Sequence, residues 1–414
     1  MIWGKSAVKF NNIIISKWNQ FENINIAFNN KLTILTGANG CGKTTILGLL
    51  ARHQGWNTTS LATPHKIQKT SGWSWLTGWA KHIISNDTST KIGNIGYSDG
   101  SQSLLSAPKT ESAQYEVKFD SIKKVECFYI PSHRNIFKYE KVTSIPTQQQ
   151  TNRNEAFIRI SESSKAKFRG DNSSRSANFH IKEILLSWNI FGYGNKSMEA
   201  NDILLAHFQD FESILKTVLP KELGFNKILI RNFEIVLSCD SGEFLIDAAS
   251  GGISSLIDMA WQIHMYSANK DEFTVLVDEI ENHLHPTMQR RILTDFINAF
   301  PKANFIVSTH SPLIVNSVKD ASLFVLKNNS EGKVESNQLD FSKNAKTATE
   351  ILDSVLGVSF TMPIWAEDEL NKIIIKYQKI QFTETTFSEM RNELANMGLE
   401  NLVPNAIAGI CENK

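Results

Sequence analysis

Short apolar runs separated by polar turns dominate the first fifty residues. Ile13–Ile15, Ile24–Phe28 and Leu32–Leu35 are β-rich and predict three strands. The third runs directly into the glycine-rich stretch Gly37–Thr44 and then into an apolar helical run, Ile46–Leu50. From residue 55 to about 112 the pattern gives way to Ser, Thr, Gly and Asn, which predicts an insertion of hairpins and loops. Strand character returns at Tyr115–Phe119 and Val125–Ile130. Residues 141–178 are polar and rich in Gln, Asn and Ser, and predict a long mobile loop.

Helical spacing follows over 180–218, with Ile181, Ile184, Leu185 and Trp188, then Ile203, Leu204, Phe208 and Phe211. Residues 226–247 read as a β-hairpin turning at Asp240–Ser241–Gly242. Helix and strand then alternate: a helix over 252–267, a strand over 273–277, a helix over 286–299, a strand over 304–308 and a short helix over 312–317. The tail from about 345 reads as three or four helices. Such alternation predicts an α/β fold with a mixed, mainly parallel sheet, joined by an antiparallel β subdomain, a helical lobe and a helical C-terminal tail. No internal repeat and no sustained heptad pattern is present.

Composition narrows the class. The chain has 414 residues, enough for two or three domains or lobes, and 41% of them are hydrophobic. A net charge of +1 gives no general reason to coat nucleic acid. The four cysteines, Cys41, Cys127, Cys239 and Cys411, form no C-x-x-C pair, which argues against a zinc site or disulfide framework and suits a reducing compartment. The opening MIWGKSAVKFNN lacks the apolar run of a signal peptide, and no stretch reaches the roughly 18 apolar residues of a membrane span. A soluble, cytoplasmic protein is expected.

Chemistry concentrates in three stretches. Gly37-Ala38-Asn39-Gly40-Cys41-Gly42-Lys43-Thr44 fits G-x-x-x-x-G-K-[ST], with a strand before it and a helix after. The glycines allow successive backbone N–H groups to face one anion, and the helix start adds its positive end. Lys43 then bridges the β- and γ-phosphates of ATP, and the Thr44 hydroxyl, next to Thr45, ligates Mg²⁺. The apolar strand Phe273–Val277 ends in Asp278-Glu279. A carboxylate at the exit of a buried strand needs a positive partner, so Asp278 is expected at the Mg²⁺ ion and Glu279 at the attacking water. A second buried strand, Phe305–Thr309, ends in His310-Ser311-Pro312.

The order P-loop, Ser250-Gly251-Gly252, Asp278-Glu279, His310 resembles ABC ATPases of the SMC and OLD type. The resemblance implies a P-loop NTPase of ABC-head type in which Ser250, Gly251 and Gly252 complete the γ-phosphate site of a second subunit. It also implies that His310 is the switch histidine that touches the γ-phosphate. Leu normally precedes that Ser and a Gln, Glu or Lys stands near position 253; here they are Ala249 and Ile253. Glu281-Asn282-His283-Leu284-His285-Pro286 resembles the loop that crosses the dimer interface in these ATPases.

On this basis residues 1–54 and 226–345 form the two parts of the head. Residues 55–178 form a β-rich insertion with return strands and the polar loop, 179–225 the helical lobe and 346–414 a helical extension. The missing coiled coil separates the chain from long-armed repair ATPases, and the tail, with Glu367, Asp368 and Glu369, holds no nuclease constellation. What remains resembles the compact ATPases of bacterial antiphage systems such as PARIS, Septu and retrons. That implies a homodimer or larger even-numbered homo-oligomer with ATP at the subunit interface, controlling a separate nuclease chain. A nucleotide-gated interaction module in DNA maintenance with little turnover and, more remotely, a transporter ATPase subunit are the competing readings.

Several features stay open. His283 and His285 suit a loop cap better than zinc, for want of a third ligand. Arg134, in Tyr129-Ile130-Pro131-Ser132-His133-Arg134, points at nucleotide or at a neighbouring subunit, or is a plain surface residue. The basic run Arg153, Arg159, Lys165, Lys167, Arg169 and Arg175 is a solvated loop or a grip on nucleic acid. Trp73, Trp75 and Trp79 serve local packing or an interface rather than base stacking. No residue is assigned to the Mg²⁺-contacting glutamine of the relatives or to the adenine.

Overall fold

The computed structural model describes residues 8–66, 73–76, 89–108, 113–145, 153–168, 175–339, 364–378, 380 and 383–411. The chain divides into two compact units, residues 1–348 and 349–414.

The first unit is built on an eleven-stranded sheet with two unlike halves. In one, Cys127–Ile130, Phe273–Val277, Ala303–Thr309, Leu32–Gly37 and Ser322–Asn328 lie side by side and all parallel. The first four of these are buried at every position, as expected of strands covered on both faces. In the other half, Val334–Leu339 pairs antiparallel with Ser322–Asn328 and leads to Phe21–Ala27, Phe10–Trp18, Ser89–Tyr97, Gln102–Pro108 and Lys118–Phe119. There Phe21–Ala27 buries Phe21, and from Asn23 to Ala27 it alternates exposed residues with buried Ile24 and Ile26, the period of a one-sided sheet.

Register places the chemistry. Val277 lies opposite Val307, Thr309 opposite Thr36 and Ile130 opposite Val277. Gly37, Asp278, His310 and Pro131 therefore leave the sheet along the same carboxyl edge, where open α/β sheets place their ligands. The helix Lys43–Ala51 runs back from that edge and buries Ile46, Leu47 and Leu50.

Some expectations are corrected. The strand Ser89–Tyr97 pairs with Phe10–Trp18, so part of the expected insertion belongs to the main sheet. Within the segment expected to be a mobile loop, Arg153–Phe168 is a helix that buries Ala156, Phe157 and Ile160. The expected hairpin is a three-stranded sheet, Phe225–Arg231, Glu234–Cys239 and Gly242–Leu245, whose first turn holds Asn232 and Phe233 at positive φ. The expected helix over 286–299 is two, Pro286–Gln289 and Ile292–Ala299. Arg169 and Trp79 lie outside the described residues, as do the side chains of Lys167, Trp73 and Trp75.

The helical lobe consists of Ala177–Tyr193 and Asp202–Val218, the latter capped by the Asn201 side chain. The second unit packs Ile364–Gln378, Glu384–Asn396 and Val403–Cys411 around Leu370, Ile373, Met390, Leu394 and Ala406. Among the described residues no helix is long and apolar enough to cross a membrane.

Candidate functional site

The glycine loop takes the conformation its composition allows. Gly37, Gly40 and Gly42 all have positive φ. A Cβ on Gly37 would stand 2.2 Å from the Leu326 carbonyl oxygen, and one on Gly42 would stand 2.3 Å from the Phe21 ring, so neither position accepts a side chain. Ala38, Asn39 and Gly40 form the exposed crest of the loop, while Cys41 is buried beneath it.

Lys43 is only 5% exposed. Its Nζ donates to the carbonyls of Gly37 at 2.9 Å and Ala38 at 3.1 Å, and stands 3.4 Å from His310 Nδ1. Among the described residues no carboxylate pairs with it. A buried ammonium held by neutral carbonyls at the start of a helix is a site awaiting an anion.

Asp278 is 1% exposed. Thr44 Oγ1 donates to its Oδ2 at 2.9 Å, Ser308 Oγ to its Oδ1 at 2.5 Å and the Tyr129 hydroxyl to Oδ2 at 3.4 Å. All three donors are neutral hydroxyls. Burial, and then the Asp278 charge, push the Tyr129 phenol well above its ordinary pKa, so it stays a donor. A buried hard carboxylate beside the exposed Thr44 hydroxyl is the donor set that Mg²⁺ takes.

Glu279 follows in a left-handed conformation, φ 46°, a strain of roughly 1–2 kcal/mol for a residue with a Cβ. Four contacts hold it there. Its N–H donates to Ser308 Oγ at 2.8 Å, and Asn282 Nδ2 donates to its Oε2 at 2.8 Å. Arg134 Nη2 donates to the carbonyls of Asp278 at 2.9 Å and Glu279 at 3.0 Å. The carboxylate is a third exposed, and its Oε1 lies 3.9 Å from His310 Nε2. Burial first, and then Lys43, hold the His310 imidazole below its ordinary pKa. The main-chain N–H of His310 donates to Glu281 Oε1 at 2.5 Å.

The structure thus brings Lys43, Thr44, Asp278, Glu279 and His310 together. Ser250, Gly251 and Gly252 make no hydrogen bond to them among the described residues. They open the 16-residue helix Gly251–Tyr266, with Ser250 as an N-cap whose side chain makes no capping bond. Ser250 and Gly251 are exposed, whereas Ile253 is buried. The turn packs on its own chain's loop, where a Cβ at Gly252 would meet the His283 carbonyl at 3.0 Å. His285 caps Pro286–Gln289, accepting from the Thr287 N–H at 3.4 Å.

Sequence reading missed the supporting residues. Ser308 and Tyr129 on Asp278, and Asn282 on Glu279, sit inside stretches that were noticed for their neighbours. Arg134 is corrected: at 8% exposure beneath the Asp278–Glu279 turn it is not a surface residue, and its three hydrogen bonds go to backbone carbonyls of its own chain.

The family model described as "AAA domain, putative AbiEii toxin, Type IV TA system" matches residues 32–316. The chain is 22% identical over 378 residues to the Septu protein PtuA of Bacillus thuringiensis, covering 84% of each protein. It is 29% identical over 218 residues to the Retron Ec83 probable ATPase of Escherichia coli, covering 52% of this chain. It spans 37% of that retron protein and 28% of a longer PtuA from Bacillus mycoides (strain KBAB4). Among solved structures, the SMC head domain from Thermotoga maritima aligns over 80% of this chain and 99% of that one, with 12% identity and a TM-score of 0.40.

Proposed function

Because the chain belongs to this AAA domain family, we propose that it binds ATP with Mg²⁺ at Gly37–Thr45 and hydrolyses it. The observation that carries the reading is the meeting of a buried ammonium with no carboxylate partner among the described residues, a buried hydroxyl–carboxylate pair and a one-third exposed glutamate at one sheet edge.

The roles follow from the contacts. The loop amides and Lys43 receive the phosphates, and binding draws the ammonium off the Gly37 and Ala38 carbonyls. Thr44 and Asp278 hold Mg²⁺, which neutralises charge on the phosphate oxygens when bound. Glu279 accepts a proton from the attacking water, and Asn282 and Ser308 keep its carboxylate and backbone in place. His310, neutral at pH 7 and within 4 Å of both Lys43 and Glu279, donates toward the γ-phosphate.

Ser250–Gly252 serves a second copy. Its exposed amides and its seating on the Glu281–His285 loop of the same chain suit a site that another subunit's ATP fills. ATP then joins two chains, and hydrolysis parts them. With Septu and retron proteins among the relatives, the assembled protein is a nucleotide-driven sensor and scaffold that controls a separate effector, a nuclease, in antiphage defence. Co-purification with the product of the neighbouring gene tests this; a neighbour encoding a membrane permease would overturn it.

A further inference from the structure

The segment that leaves strand Cys127–Ile130 is stapled to the Asp278–Glu279 turn at two places. Asn282 Nδ2 donates to the Ser132 carbonyl at 3.0 Å, and the Arg134 guanidinium reaches back under the turn. One nitrogen, Nη2, serves the carbonyls of both Asp278 and Glu279. Those two carbonyls flank the Glu279 Cα, so the angle between them is set by that residue's own φ and ψ. Holding both oxygens within 3.0 Å of a single donor ties together the two peptide planes that meet at Glu279, which stands at φ 46°. Nη1 donates to the Pro131 carbonyl, which anchors the guanidinium to the strand end it came from. Since the Asp278 N–H donates to the Ile130 carbonyl at 3.0 Å, the two strand ends and the guanidinium form one closed loop of bonds.

Arg134 is 8% exposed; burial lowers its pKa, and the nearby carboxylates of Asp258, Asp278 and Glu281 offset part of that cost, with no direct ion pair among the described residues. A neutral donor at the same place could satisfy one carbonyl. A planar guanidinium satisfies several in a fixed fork, which is why lysine is a poor substitute.

Resting on the reading of Glu279 given above, we propose that Arg134 is a positioning residue for ATP hydrolysis. It braces the left-handed turn that aims the Glu279 carboxylate at the phosphates, and it does not touch the nucleotide. The reaction's base stays Glu279; Arg134 acts through it.

The test measures kcat, KM and the affinity for a fluorescent ATP analogue in wild type, Arg134→Ala, Arg134→Lys and Glu279→Gln, with folding checked by circular dichroism. Expected are a fall in kcat of about 10- to 100-fold for Arg134→Ala, a smaller fall for Arg134→Lys, and affinity and KM within about threefold of wild type. Free guanidinium at low millimolar concentration should restore part of the Arg134→Ala rate and none of the Glu279→Gln rate. If Arg134→Ala does not fold, the split between kcat and affinity in Arg134→Lys decides. Unchanged kcat in folded Arg134 variants beside an inactive Glu279→Gln overturns the role of Arg134 alone. Affinity that falls in step with kcat overturns it as well, because Arg134 then contacts nucleotide. Wild-type turnover in Glu279→Gln overturns the reading of Glu279, and this inference with it.

Discussion

Two turns in this chain have the same elements, small or acidic residues at a strand or helix end, and opposite surroundings. At Asp278–Glu279 nearly every polar atom is engaged from within: Thr44, Ser308, Tyr129, Asn282 and Arg134 all donate to it. At Ser250–Gly252 the helix start is exposed, and the N-cap side chain makes no capping bond. Unused helix amides at an exposed end are the ordinary place for an outside anion. On the proposed reading, the first turn holds one geometry and the second receives the nucleotide of another copy. The division matches a site whose chemistry comes from one subunit and whose closure comes from another.

Substitutions at the two turns should therefore separate. The largest effect is expected for Glu279→Gln, which keeps shape and hydrogen bonding but removes the base: steady-state ATPase assays should show kcat lower by about 10²–10⁴-fold with nucleotide affinity retained. Lys43→Ala removes the buried cation, and calorimetric titration should show ATP affinity weaker by about 100-fold or more; equal affinity would place the phosphates elsewhere. Ser250→Arg should lower turnover by about tenfold or more while leaving ATP affinity of dilute monomer unchanged. A parallel loss of affinity in that variant would erase the distinction between the two turns.

The smallest effect concerns pH. The His310 pKa lies below its unfolded value, chiefly through desolvation and then through Lys43. Its imidazole therefore adds no pH dependence to stability above about pH 6.5, and it costs stability as pH falls below that, where the unfolded chain takes up the proton first. Turnover should change by less than about twofold between pH 7 and 8, and melting temperature should fall on acidification less steeply in His310→Gln than in wild type. A wild-type rate that climbs as pH drops through 6.5 would mean that the charged ring is the working form.

The legible parts of the molecule were those where physics is local. The parallel half of the sheet announces itself because strands buried on both faces are continuous apolar runs, as in Phe273–Val277. The antiparallel half was harder: Val334–Leu339 reads VESNQL and gains strand character only by lying between Ser322–Asn328 and Phe21–Ala27. The helix Arg153–Phe168 was hidden by its polar composition, since only Ala156, Phe157 and Ile160 mark its buried side. The phosphate loop, Asp278-Glu279 and His310 were visible because each is a contiguous motif at a strand end. Arg134 was not. Its work depends on a turn 144 residues further along the sequence lying over it, and nothing in the string Pro131–Arg134 reports the positive φ of Glu279.

The claim that one copy closes over another's nucleotide is tested most directly by equilibrium sedimentation of Glu279→Gln with and without ATP and Mg²⁺. The expected result is a mass of at least two chains in saturating ATP, reverting toward one chain when Ser250→Arg or Lys43→Ala is added. A single-chain mass at saturating ATP, in protein shown by titration to have bound the nucleotide, would contradict the account.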